Sequence, residues 1–169
     1  INGDNEAIKL LQNEVDSLVK KYGEPYKIGD FGWAASILNQ KKVTFFDIQS
    51  TKAKQFGFMM ELDQDRKLTC CGDEPYNEEN EKYALKSDYL LHEAFCLYDQ
   101  ADIFHPYEKH HSTVKDACQL AEKLKVKNVV LYHSEDQNIE NRKELYTKEG
   151  KAYFSGKIYV PNDLETIEL

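Results

Sequence analysis

Apolar positions at three-and-four spacing over residues 4–22 (Ile8, Leu11, Val15, Leu18, Val19 and Tyr22) predict an amphipathic helix. Asp4 can cap its start, Gly23 can end it in a left-handed turn, and Pro25 follows. Beyond it the period shortens. Residues 34–38, 43–48, 56–62 and 67–71 are strand-like runs, and Asn39-Gln40 and Asp63-Gln64-Asp65 supply turns between them, so antiparallel hairpins are expected. After Cys71 the pattern changes again. Residues 74–86 are acidic and polar and read as a loop or a short surface helix, and residues 89–92 as a short buried strand. A connection rich in histidine and tyrosine runs over 97–111. Residues 113–124 then predict a helix with Val114, Ala117, Cys118, Ala121 and Leu124 on one face, capped by Ser112 or Thr113, with Asp116 completing an approximate capping box. A buried strand over 126–132, a helix over 138–150 and strands over 158–160 and 165–169 close the chain. Hairpins leading into strand–helix–strand units imply a layered α/β arrangement, one mixed sheet covered by helices, in a single domain over 1–169.

Composition narrows the class. A chain of 169 residues, 41% hydrophobic and 12% aromatic, can bury one sizeable core. No run is long and apolar enough for a membrane span, and the N-terminus lacks a signal-peptide pattern, so a cytoplasmic protein without a membrane partner is expected. The four cysteines (70, 71, 96 and 118) show no C-x-x-C spacing and read as free thiols in a reducing compartment. A net charge of −8 argues against broad binding to nucleic acid, though not against a phosphodiester substrate, because bound metal ions bring their own positive charge.

Candidate chemistry lies at the ends of the apolar runs. Gly72-Asp73 follows the strand over 67–71, and a carboxylate there can project into a cleft and bridge cations; a turn aspartate bonded to its own backbone is the plainer alternative. His133 follows Val129-Val130-Leu131-Tyr132 and is either a polar strand terminus or a nitrogen ligand. Glu93 follows a buried strand, where an acid must pair or incur a heavy desolvation cost. His111, just ahead of a helix, is its natural partner, the carboxylate holding the imidazole in one tautomer with the other nitrogen free to move a proton. If the two are not within hydrogen-bond reach, that proton donor fails. Ser112 could be read as a nucleophile but is explained by its cap position, and His105 and His110 read as loop histidines.

Together these segments resemble the C-terminal half of the metallo-β-lactamase fold and, within that superfamily, ribonuclease Z, the tRNA 3′-processing type. The residues that carry the resemblance are Phe56-Gly57-Phe58 leading to Gly72-Asp73, Leu91-His92-Glu93-Ala94, His111-Ser112-Thr113 opening a helix, and Val129 to Ser134. It implies a four-layer αββα sandwich of which this chain holds the C-terminal half, the N-terminal half preceding Ile1. It implies two divalent metal ions, zinc first with manganese or iron as alternatives, Asp73 bridging them and His133 on the second. Glu93 and His111 become the acid–imidazole pair, His111 protonating the leaving oxygen. Two departures stand out. Phe95 occupies a place where the family has threonine, and the signature His-x-His-x-Asp-His is absent. Asp73 and His133 give two ligands where zinc takes three or four.

The expected function is thus a metal-dependent hydrolase of phosphodiesters when intact, with this chain alone inactive. The alternatives are a hydrolase of small esters, lactones or cyclic phosphodiesters, or a non-catalytic module. RNA is a candidate substrate whose tight binding the acidic charge disfavours. A half-sandwich would leave a sheet face to cover, so a homodimer is expected.

Overall fold

The computed structural model describes residues 42–51 and 53–169, and the unit Val43–Leu169 is treated by itself. The helix expected over 4–22 and the strand over 34–38 lie outside the described residues.

Among the described residues, six strands form one sheet in chain order: β1 (Val43–Asp47), β2 (Phe56–Glu61), β3 (Lys67–Cys70), β4 (Tyr89–Glu93), β5 (Asn128–Tyr132) and β6 (Lys157–Tyr159). The first three pair antiparallel, with Phe45 opposite Phe58 and Met59 opposite Thr69. From β3 onward the pairs are parallel, with Leu68 opposite Tyr89, Leu91 opposite Val130 and Val129 opposite Ile158. The switch follows from the connections. The short links after β1 and β2 permit only antiparallel neighbours, whereas the long links after β3, β4 and β5 can return the chain to the same end of the sheet. Those links carry the helices α1 (Glu81–Ala84), α2 (Ala101–Phe104), α3 (Val114–Lys123) and α4 (Arg142–Gly150).

The core lies between the sheet and α3. Leu90, Val129 and Leu131 pack with Val114, Ala117, Cys118 and Ala121, all essentially without solvent contact. The small side chains of Ala117 and Ala121 let the helix approach closely, and each fully buried leucine contributes about 1.5–3 kcal/mol of apolar burial. Thr113 caps α3: its hydroxyl accepts from the Asp116 N–H and the Asp116 carboxylate accepts from the Thr113 N–H, a reciprocal capping box. Alternation along β4 sends Leu90 and His92 to this face and Tyr89, Leu91 and Glu93 to the other, where Tyr89 clusters with Met60 and Leu68.

Two expectations need correction. The last helix begins at Arg142, not near 138, because the preceding segment is held in a loop: the Glu135 N–H donates to the Phe95 carbonyl, Asn138 to the Glu135 carboxylate and the Arg142 guanidinium to the Glu135 carbonyl. Residues 165–169 are not a strand. Glu165 instead closes a turn on Asn162 and pairs with Lys143 at 2.7 Å, which diverts the chain from any strand neighbour. All four cysteines are free, three of them buried.

Candidate active site at the strand ends

Parallel neighbours end at the same edge of a sheet, so the ends of β3, β4 and β5 bring Asp73, Glu93 and His133 to one side of the molecule. The chain leaves β3 through Gly72, whose φ of +84° is left-handed; a Cβ there would also meet Ile48 Cδ1 at 2.7 Å, so glycine fits where other residues strain. Asp73 follows, half-buried. The Tyr132 hydroxyl donates to the Gly72 carbonyl, and Cys70 Sγ lies 3.6 Å from that hydroxyl. Burial first, then the neighbouring Cys70, holds the Tyr132 phenol far above its ordinary value, so it keeps its proton.

Glu93 is the last residue of β4 and is fully buried. One carboxylate oxygen accepts the Ser112 backbone N–H. The other accepts no hydrogen bond and lies 3.6 Å from His111 Nδ1, an ion-pair separation just beyond hydrogen-bond length. Burial pushes the carboxyl up to about 7; the bonds to Ser112 pull it down, and the negative charges of Asp73 and Asp116 push it up. That the Asp73 charge acts on Glu93 places the two acids in one neighbourhood.

His111 reaches Glu93 because the chain doubles back. The Phe95 N–H donates to the Ser112 carbonyl, the Val114 N–H to the Cys96 carbonyl, and Cys96 and Thr113 form a parallel bridge, so 111–113 runs beside 94–96. The His111 ring is buried, stacked on Phe95 with centroids 5.0 Å apart and planes 21° apart. On its other flank the His133 ring lies 4.9 Å away. His133 itself is exposed and sits at φ 53°, a left-handed conformation outside glycine's usual preserve. That conformation costs a residue with a Cβ about 1–2 kcal/mol, and several turn residues, Lys86 and Lys125 among them, share it.

The four residues singled out from the sequence are therefore brought to one edge, but Glu93 and His111, 3.6 Å apart, do not meet the hydrogen-bond reach expected of the pair. Ser112 gives its N–H to Glu93 and leaves capping to Thr113. His105 and His110 are exposed loop residues. His92, unassigned from sequence, is buried and donates Nδ1–H to the Glu93 carbonyl at 2.7 Å, while burial lowers its basicity and keeps it neutral. Sequence reasoning also missed the Phe95 stack. Its signal was the aromatic residue standing where the resembled family has threonine.

The fold has counterparts among known proteins. The chain is 32% identical over 112 residues to the ribonuclease Z of Shouchella clausii and 29% identical over 105 residues to that of Thermococcus sibiricus. These matches take in 66% and 61% of this chain but 35% and 31% of the relatives, so the chain spans about a third of the length of the curated relatives it matches. The metallo-β-lactamase-fold protein YhfI of Bacillus subtilis superposes with a TM-score of 0.58 at 18% identity, over 73% of this chain and 48% of that one. The short form of human tRNase Z superposes with a TM-score of 0.57 at 22% identity, over 77% and 44%. No family model matches the chain. The mixed sheet and its helices are part of a metallo-β-lactamase fold, and the chain is ribonuclease Z-like in sequence.

Proposed function

We propose that the protein carrying this chain is a metal-dependent hydrolase of phosphodiesters, of the ribonuclease Z type, and that Asp73, Glu93, His111 and His133 are its contribution to the active site. The observation that supports this most is the Glu93–His111 pair, buried, 3.6 Å apart and placed at the shared edge of three parallel strands between Asp73 and His133. Catalytic hydrogen bonds are often long in unliganded sites and tighten on substrate binding. Glu93 faces Nδ1 of His111, and Nε2 is the nitrogen assigned to deliver a proton to the departing oxygen. Phe95 stacked on one side and His133 on the other limit the tilt of the ring.

The carboxylate of Asp73 and the imidazole of His133 are donors of the kind divalent metals take, zinc first. They make part of a shell: among the described residues no group of three or more histidine, cysteine, aspartate and glutamate side chains could hold a metal ion. Divalent ions supply Lewis acidity toward a phosphoryl oxygen. The net charge of −8 favours a small phosphodiester over tightly held RNA as a second reading of the substrate.

The test is a set of variants in the protein at its natural full length, assayed on bis-p-nitrophenyl phosphate with metal content measured in parallel. His111→Ala should lower turnover by about 10²–10⁴-fold with metal content intact, the range for a lost general acid. Asp73→Ala should lose metal and turnover together. Loss of metal from His111→Ala would make His111 a ligand instead, and full metal in Asp73→Ala would remove its assigned role.

A further inference from the structure

We infer that Tyr132 is a positioning residue of this site, its phenol tying the Gly72-Asp73 turn to the end of β5. The inference rests on the reading of Asp73 and His133 as members of one site. Strand order places β4 between β3 and β5, so the two outer strands share no ladder, and the residues that follow them need some other tie to keep a fixed relation. The Tyr132 side chain supplies it. Tyr132 stands opposite Glu93 in the β4–β5 register, and its hydroxyl reaches across β4 to donate to the Gly72 carbonyl.

That carbonyl belongs to the peptide whose N–H is Asp73's. The peptide unit is planar, so holding its oxygen fixes the plane from which Asp73 departs. Gly72 is already in the left-handed region and has no side chain with which to anchor itself. Tyr132 directly precedes His133, so the residue that restrains Asp73 is covalently joined to the residue proposed to act with it. Phenylalanine would fill the same space without the bond. Cys70, 3.6 Å from the same hydroxyl, is a weak sulfur partner and is expected to be dispensable.

The experiment uses the protein at its natural full length, Tyr132→Phe and Cys70→Ala, with three measurements: the Gly72 carbonyl ¹³C shift, the thermal midpoint, and binding of Mn²⁺ alone, read as paramagnetic broadening at Asp73 and His133. Tyr132→Phe should move the Gly72 carbon upfield, keep the midpoint within a few degrees, and weaken Mn²⁺ binding about tenfold at both residues, the lower end for loss of a group that orients a ligand. Cys70→Ala should behave as wild type. An unmoved Gly72 carbon, or equal Mn²⁺ affinity in Tyr132→Phe and wild type, overturns the inference. Absence of broadening in the wild-type full-length protein overturns the underlying site reading instead, and the two failures separate because the Gly72 carbon would still respond. Should Tyr132→Phe not fold, 3-fluorotyrosine at position 132, a stronger donor, must move the Gly72 carbon downfield; no movement overturns the inference equally.

Discussion

Glu93→Gln should make this protein more stable at neutral and alkaline pH and leave it unchanged in acid. The reasoning starts from a buried carboxyl held at about 7 against an ordinary 4.5, chiefly by burial. Between those values the folded chain holds a proton that the unfolded chain has released. Stability attributable to Glu93 is therefore full below pH 4.5, falls as pH rises, and is lost above about pH 7. A change from 4.5 to about 7 corresponds to about 3 kcal/mol, since each pH unit is worth 1.36 kcal/mol. Glutamine has the same shape. Its oxygen can accept the Ser112 N–H, and its amide can face His111 Nδ1, so the substitution removes the charge and little else. Urea unfolding followed by far-UV circular dichroism at pH 4 and pH 8 measures the difference. At pH 4 the two midpoints should coincide; at pH 8 the variant's should lie roughly 1–3 M higher, given typical slopes for a chain of this size. The lowered carboxyls, such as Glu165 beside Lys143, act in the opposite sense but are common to both proteins and cancel in the comparison. An offset equal at pH 4 and pH 8, or a variant less stable at pH 8, would refute the account of Glu93 as an acid raised chiefly by burial.

Three further outcomes are expected from the backbone. Gly72→Ala should cost about 1–2 kcal/mol, from a side chain forced into φ +84° and against Ile48 Cδ1, and an unchanged melting temperature would contradict it. Thr113→Ala should cost about 1–2 kcal/mol by opening the capping box of α3, with its destabilisation visible in faster amide exchange over the first helical turn; protection identical to wild type would sink it. His133→Gly should gain about 1 kcal/mol, since His133 is exposed and strained at φ 53°, while abolishing whatever ligand role the imidazole has. Chemical denaturation of that variant would show a higher midpoint, and a lower one would mean the ring contacts with His111 and Phe95 outweigh the strain.

What could be read from the sequence was whatever a local pattern controls. Apolar runs ending in Cys71, His92 and Tyr132 marked buried strands, and the long links between them implied parallel pairing. Parallel pairing then puts Asp73, Glu93 and His133 at one edge whatever the loops do. That His111 would lie near Glu93 was legible for a different reason: an acid at the end of a buried strand needs a neighbour, and His111 was the available base ahead of a capped helix, although their 3.6 Å separation falls short of the expected hydrogen bond. What was not legible depends on contacts between distant segments. The start of α4 is set by Arg142 and Glu135 gripping a loop, not by helical periodicity over 138–141. The absent strand at 165–169 has an adequate local pattern, but Glu165 is committed to Asn162 and Lys143. Tyr132 is the sharpest case. In sequence it is one more strand residue; only the order β3–β4–β5 reveals that its side chain must cross a strand to find the Gly72 carbonyl. Alternation assigns a residue to a face of the sheet, but it says nothing of how far along that face a long side chain travels. For that reason the members of this site could be named from strand ends, while the bond that relates two of them could be named only once the strands had an order.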